Sequence, residues 1–132
     1  MRLSIVPWLI CIAVVAEAQL DLSSPEATLA GYIESIRQGD VEGVLARYHN
    51  TKEFYLPGPM SIENYEIVKK IIFRTKEVQE WNEQEIIPAA KAGDVQLDVR
   101  EHRAGYSQMY SYFFREIEGK WKLIAHYSWD AD

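Results

Sequence analysis

The chain has 132 residues, of which 48% are hydrophobic and 26% are charged, and its formal net charge is -6. This length suits a single domain, and the composition is that of a globular protein and not of a disordered one. The acidic balance disfavours binding to nucleic acid or to an anionic membrane surface, because either would require a basic patch.

Residues 1–18 have the features of a secretory signal peptide. Arg2 is basic, residues 3–15 form an apolar run, and a small-x-small pattern ends at Ala18. The apolar run is short for a spanning helix, which needs about 20 residues; a retained anchor is the alternative. We therefore expect residues 19–132 to form one secreted or periplasmic domain, without a stable membrane anchor after cleavage.

The only cysteine, Cys11, lies inside this predicted signal peptide. The mature chain would then have no disulfide and no thiol nucleophile. An exported domain without disulfides must rely on its hydrophobic core, and it is more typical of a bacterial periplasm than of animal extracellular space.

The N-terminal half of the mature chain predicts three helices. Ser24 is a good N-cap for the first, and Gly39 is a good C-terminal stop. Asp40 caps a second, shorter helix. The Pro- and Gly-containing segment 50–60 predicts a loop, and a third helix is predicted to start at Ser61 in "SIENYEIVKKIIF".

After this half, the hydrophobic period changes from helical to two. Four strands are predicted, at residues 77–87, 94–102, 106–117 and 120–129. The gaps between them are short, so the strands should form an antiparallel meander. Helices followed by strands define an α+β fold.

Two-residue loops at the last two hairpins would fix the register of the meander. Tyr112 would then lie between Leu97 and Ala125, and Tyr110 opposite Tyr127. Side chains alternate between the faces of a strand, so one face would collect most of the bulky apolar residues, and the helices would cover it. The predicted inward face consists of Val95, Leu97, Val99, Tyr110, Tyr112, Phe114, Trp121, Leu123, Ala125, Tyr127 and Trp129.

The segment "SPEATLAGYIESIRQGDVEGVLARY" resembles the first two helices of the nuclear-transport-factor-2-like superfamily, and "EGKWKLIAHYS" is similar to its last strand. The resemblance extends over about residues 24–129. It implies a cone, in which three helices pack into the concave face of a curved sheet and leave a pocket at the mouth. The superfamily includes isomerases, dehydratases, polyketide cyclases and non-enzymatic modules, so the fold alone does not define the function.

Enzymes of this superfamily use a buried Asp or His as a general base, with a Tyr or Asp as oxyanion donor. In the predicted register Glu101 and Glu116 stand at the ends of the inward face, and His126 is one residue out of phase with it. His49, at the end of the second helix, is then the candidate catalytic base. The alternative is that His49 interacts only with the carbonyl groups at that helix end.

The leading hypothesis is a module that binds a small apolar or aromatic ligand, or a protein partner, without catalysis. Aromatic walls with a few hydroxyl groups suit a flat ligand. One alternative is an isomerase- or cyclase-type enzyme with His49 as general base and a pocket tyrosine as oxyanion donor. Another is an interaction module with a filled cone. The predicted ligand-binding residues are Tyr32, Tyr48, Tyr110, Tyr112, Trp121 and Tyr127.

The outward face of the predicted sheet carries two further features. Asp98, Ser111 and His126 line up across three strands, but Ser111 is in the middle, so the order is that of a polar ladder and not of a hydrolase triad. The same face carries apolar residues, which favours a homodimer interface there; they are Met109, Phe113, Ile117 and Ile124. No metal-binding or cofactor-binding motif is predicted.

Overall fold

A computed structural model of the chain describes residues 20–49, 62–74 and 90–130. These residues form an α+β fold of two helices and one four-stranded antiparallel sheet. In chain order the elements are α1 (Pro25–Gln38), α2 (Val41–Ala46), β1 (Ile62–Ile72), β2 (Val95–Arg103), β3 (Tyr106–Ile117) and β4 (Lys120–Trp129). The strands lie side by side in the order β1-β2-β3-β4.

Helix α1 begins and ends where its sequence predicts. The Ser24 hydroxyl accepts a hydrogen bond from the backbone N–H of Ala27 (3.0 Å), and Gly39 ends the helix with a left-handed φ of 68°. Its apolar stripe is buried against the inner face of the sheet, through Leu29, Tyr32, Ile33 and Ile36.

Helix α2 leads the chain to the edge of β4. Asp40 caps α2 by accepting a hydrogen bond from the N–H of Gly43 (3.0 Å). After the helix, His49 N–H donates to the carbonyl of Leu123, and Leu123 N–H donates to the carbonyl of Arg47, each at 2.8 Å. This short parallel bridge covers part of a strand edge that would otherwise be open.

The prediction of a third helix at Ser61 is wrong, because residues 62–72 form β1. The segment is rich in β-branched residues, which favour strands. Two register shifts interrupt its pairing with β2, one between Ile62 and Asn64 and one between Ile67 and Lys69. Each shift interrupts the alternation of inward- and outward-facing side chains along β1. The sequence of β1 therefore lacks a clear strand pattern. The strand predicted at residues 77–87 lies outside the described residues.

The pairing predicted for β2 and β3 is confirmed. Val99 lies opposite Tyr110, and Leu97 lies opposite Tyr112. The tight turn between β3 and β4 is also confirmed, because Glu118 and Gly119 have φ values of 54° and 79°. Positive φ at both central residues is the signature of a type I′ hairpin, whose twist matches that of the flanking strands.

The register predicted for the second half of β4 is wrong. The pairing shifts at Ile124, which has no partner on β3, so that Tyr112 lies opposite His126 and not opposite Ala125. This β-bulge adds one residue to β4 and exchanges the faces of the residues that follow it. His126 therefore points into the core, whereas Ala125 and Tyr127 lie on the outer face.

Two hydrophobic clusters cover the two faces of the sheet. The inner cluster lies between α1 and the sheet and includes Leu97, Phe114 and Leu123. The outer cluster contains Phe73, Ala90, Phe113 and Ala125, with Ile71, Ile124 and Tyr127 packed against it. Met109 and Phe113, predicted to form a dimer interface, are only 4% and 2% exposed within the single chain.

Candidate functional site

A small cavity of about 40 Å³ lies between α1 and the inner face of the sheet. This volume has room for a few water molecules. Its walls come from α1, from the start of β1, and from the ends of β2, β3 and β4 nearest the β2–β3 hairpin. The lining residues are Tyr32, Ile36, Ile62, Glu101, Arg103, Tyr110, Tyr112 and His126.

A buried carboxylate is the central feature of this cavity. Glu101 is only 1% exposed. The Tyr112 hydroxyl donates a hydrogen bond to its Oε2 (2.5 Å), and Arg103 Nη2 donates to its Oε1 (2.9 Å). The same Arg103 nitrogen lies 3.2 Å from the Tyr110 hydroxyl oxygen. Both carboxylate oxygens of Glu101 are therefore bonded, as a buried charge requires.

Three rings stand in a row beside this carboxylate, with the two outer rings, Tyr110 and His126, tilted by 39° to each other. Tyr110 stacks on Tyr112, and Tyr112 stacks on His126, with centroid distances of 5.8 and 5.6 Å and interplanar angles of 22° in both pairs. The Arg103 guanidinium carbon lies 5.7 Å from the centroid of Tyr110, within the range of a cation–π contact. A continuous aromatic wall therefore runs from the partly exposed Tyr110 to the interior.

His126 forms a hydrogen bond through Nδ1 with the hydroxyl of Tyr48. Its ring also lies against Tyr32, with the centroids 6.1 Å apart. Burial of the imidazole lowers the pKa of His126 from its ordinary 6.5 to about 4. His126 is therefore a neutral group at physiological pH.

The buried tyrosines hold their protons more firmly than tyrosines in water. Burial is the main cause of the raised pKa of Tyr32, Tyr48 and Tyr112, and the charge of Glu101 adds to it for Tyr32 and Tyr112. At neutral pH these hydroxyl groups are hydrogen-bond donors and not phenolates. The cavity is thus lined by neutral donors and by one compensated ion pair.

The structure brings three of the six predicted ligand-binding residues to the cavity, namely Tyr32, Tyr110 and Tyr112. Tyr48 lies behind it and reaches it through His126. Trp121 is on the same face of the sheet but packs at the border of the inner cluster. Tyr127 is on the outer face, where its ring stacks on Phe113 at 6.0 Å.

His49, the predicted general base, is exposed and lies outside the lining of the cavity. It follows the short bridge to β4, where its N–H donates to the Leu123 carbonyl. Because a general base must lie within hydrogen-bond reach of its substrate, a role for His49 would need a substrate outside this cavity.

The predicted ligand-binding residues do not include Glu101 and Arg103, although the sequence carries a signal for both. Glu101 and Arg103 follow Val99 with the period of two, so the alternation alone places both on the inner face. The sequence predicts His126 on the outer face, because nothing in it marks the bulge at Ile124. The face of His126 depends on that one unpaired residue.

The polar ladder predicted on the outer face contains only two of its three residues. The Ser111 hydroxyl donates to Asp98 Oδ1 at 2.6 Å, and Trp129 Nε1–H donates to the Ser111 oxygen at 3.1 Å. His126 does not belong to the ladder, since it points to the opposite face. Trp129, predicted to face inward, also lies on this outer side.

A larger groove of about 470 Å³ lies between α1 and α2. Two of its polar side chains serve the fold: Asp40 caps α2, and Arg47 Nη1 donates to the Gly43 carbonyl at 2.8 Å. The inner cavity combines aromatic walls with a buried carboxylate, and we therefore take it as the candidate site.

Among residues 20–49, 62–74 and 90–130, no three His, Cys, Asp or Glu side chains lie close enough together to hold a metal ion. Neither of the two described helices is long and apolar enough to cross a membrane. The chain matches no protein-family profile, no curated protein and no solved structure.

Proposed function

We propose that the chain is a module that binds a small planar molecule at the inner face of its sheet. The ligand would insert one polar oxygen, a hydroxyl or a carbonyl, into the small cavity, with its ring against Tyr110 at the entrance. The observation that carries the proposal is Glu101, a buried and bonded carboxylate beside the apolar inner cluster. A buried ion pair is often no more stabilising than packed hydrophobic residues, so its presence favours a functional role.

The volume of the cavity sets the size of the group that it accepts. Sites for drug-sized ligands measure about 300–1,000 Å³, whereas this cavity measures about 40 Å³. Only the polar end of a ligand would fit without movement of the walls. Tyr110 is partly exposed and forms the part of the wall that a ring can approach from solvent.

Titration of the purified chain with phenol and with acetophenone, followed by amide NMR, tests this proposal. Cyclohexanol is the matched probe without a planar ring. Phenol or acetophenone should shift the amides of Tyr110, Tyr112 and Glu101 in a saturable manner, and cyclohexanol should do so more weakly. The Tyr112→Phe variant, which keeps the ring, should weaken binding. The proposal is wrong if no planar probe shifts these amides, or if cyclohexanol does so equally well.

An isomerase- or cyclase-type enzyme is the second candidate, and the Glu101–Tyr112 pair is the observation in its favour. A carboxylate beside a protonated tyrosine combines a base with a hydrogen-bond donor for a developing oxyanion. In this reaction Glu101 would take the proton of the carbon next to a carbonyl, in place of the predicted His49.

Deuterium exchange separates the two candidates. A small β,γ-unsaturated cyclic ketone is incubated with the chain in D₂O, and loss of its α-proton signal is followed by NMR. An enzyme would accelerate the exchange, and Glu101→Gln would abolish the acceleration whereas His49→Ala would not. Exchange at the uncatalysed rate would exclude this reaction for the probe and leave the binding proposal in place.

We further propose that the chain is an exported member of the nuclear-transport-factor-2-like superfamily, with the cone that this implies. The resemblance of the first helix and the last strand, and the packing of α1 on the inner face of an antiparallel meander, support the proposal. Export predicts cleavage after Ala18. N-terminal sequencing of the chain released by a secreting host should therefore begin at Gln19, and an uncleaved chain in the membrane fraction would support the retained anchor.

A further inference from the structure

We infer that β1 is a self-association surface, along which a second copy of this chain adds an antiparallel strand. Among the described residues, none pairs with β1 on the side away from β2. A long edge strand with open backbone groups is a template for pairing with another chain.

The side chains of β1 are unusually exposed and apolar for such an edge. Ile67 is 40%, Val68 45% and Ile72 57% exposed. Natural edges are often protected by charged side chains or by bulges, and β1 has both. The two charge types of β1 are separated along the strand: Glu63 and Glu66 lie in its first half, and Lys69 and Lys70 in its second half.

This separation makes the strand complementary to itself only in the antiparallel direction. Glu66 lies opposite Arg100 and Lys69 lies opposite Asp98 in the pairing with β2, so both side chains are on the outer face. We place a two-fold axis perpendicular to the sheet, between Ile67 and Val68. The outer faces of the two copies then join on one side of the combined sheet, and the inner faces join on the other. Glu66 lies opposite Lys69 of the second copy. The symmetry repeats this ion pair, so the interface contains it twice.

Contacts within the chain hold the Glu66 carboxylate in place. Arg100 Nη1 lies 3.3 Å from its Oε1 and His102 Nε2 lies 3.4 Å from it. Lys70, by contrast, is bonded to Glu26 of α1 at 3.0 Å and belongs to the inner side of the sheet. The outer-face pair of Glu66 and Lys69 is therefore the one that sets the register between copies.

Sedimentation equilibrium of the purified chain at rising concentration tests the inference. The wild type should form a dimer. Glu66→Lys alone and Lys69→Glu alone should each weaken dimerisation about tenfold, because two like-charge pairs would face each other across the axis. An equimolar mixture of the two variants should restore the dimer, since every mutated residue then meets its opposite charge.

Lys70→Glu is the matched control, because it changes the net charge equally at the neighbouring residue and should leave dimerisation nearly unchanged. Circular dichroism confirms that each variant is folded. A chain that stays monomeric at every concentration overturns the inference. The inference is also wrong if the equimolar mixture of Glu66→Lys and Lys69→Glu fails to restore the dimer. It is wrong as well if Ile117→Lys, on the outer face, disrupts the dimer and Lys69→Glu does not.

Discussion

Glu101 occupies a position where a carboxylate is costly unless it is fully bonded. The Tyr112 hydroxyl and the Arg103 guanidinium supply those bonds. Tyr112→Phe removes one of them without changing the ring, and leaves part of a buried charge unsatisfied. We expect a loss of about 1–3 kcal/mol in the free energy of unfolding, measured by urea denaturation.

The control for this prediction is Tyr110→Phe. Its hydroxyl is bonded to Arg103 and not to the carboxylate, and its side chain is only partly buried. It should cost less than Tyr112→Phe. An equal or larger loss at Tyr110 would contradict the view that Glu101 depends on the Tyr112 hydroxyl.

His126 makes the stability of the fold depend on pH. Its folded pKa of about 4 lies below the ordinary 6.5, so the unfolded chain binds the extra proton first as the pH falls. The contribution of His126 to the free energy of unfolding is intact above pH 6.5 and is lost progressively from there to about pH 4. Between pH 7 and pH 5 the free energy of unfolding should fall by about 2 kcal/mol from this residue.

Urea denaturation of the wild type and of His126→Gln at the two pH values measures this effect. Gln keeps a polar group near Tyr48 but does not titrate. The difference in stability between pH 7 and pH 5 should therefore be smaller in the variant. An unchanged difference would show that the histidine does not carry the pH dependence.

At the scale of elements, one bulge in β4 decides which side chains form the site. Ile124 is the residue without a partner on β3, and it packs against the outer cluster. Its deletion would leave a regular ladder in which Leu123 and His126 keep their faces. We expect the deletion variant to fold, with a loss of about 1–3 kcal/mol from the missing apolar contacts.

Deletion of Lys122, which is regularly paired with Arg115, is the matched control. Without Lys122, Trp121 would adjoin Leu123 and would have to point to the opposite face of the sheet, or the hairpin would have to move. This deletion should therefore lower the stability far more than the deletion of Ile124. Thermal denaturation compares the two variants. Equal losses would contradict the assignment of Ile124 as an inserted residue.

An ion pair fixes the segment that enters β2. Arg115 of β3 bonds both oxygens of Asp94, at 2.9 and 2.8 Å, and Asp94 Oδ2 also accepts from Lys91 N–H. Asp94 is buried, so removing its cation is expensive. Arg115→Met should lower the free energy of unfolding by about 3 kcal/mol, measured by urea denaturation. The exposed ion pair of Arg100 and Glu66 is the control, since Arg100→Met should cost less than about 1 kcal/mol.

The sequence was most informative where local rules act alone. The caps of α1 follow from Ser24 and Gly39, and the β2–β3 register follows from a two-residue loop and strict alternation. The site was only partly predictable, because Tyr32, Tyr110 and Tyr112 come from these regular stretches. Bulges add a residue without a sequence signal, and they caused the errors at His126 and in β1.

At the scale of the whole molecule, α1 is fastened to both edges of the described sheet. The Thr28 hydroxyl donates to the Trp121 carbonyl of β4 at 2.8 Å, and Arg37 Nε donates to the Ile62 carbonyl of β1 at 2.9 Å. The helix therefore spans the inner face and closes over the polar cluster. This arrangement buries Glu101 among its partners and strengthens the electrostatic interactions there.

The β4 bulge turns His126 toward the aromatic interior, where its ring lines the candidate cavity. NMR titration of the His126 imidazole tests this placement. We expect a neutral His126 ring throughout the range around pH 6 and a titration midpoint near pH 4. A midpoint near the ordinary 6.5 would mean that the ring is solvated, as an unbroken ladder would leave it, and would contradict the inward placement of His126.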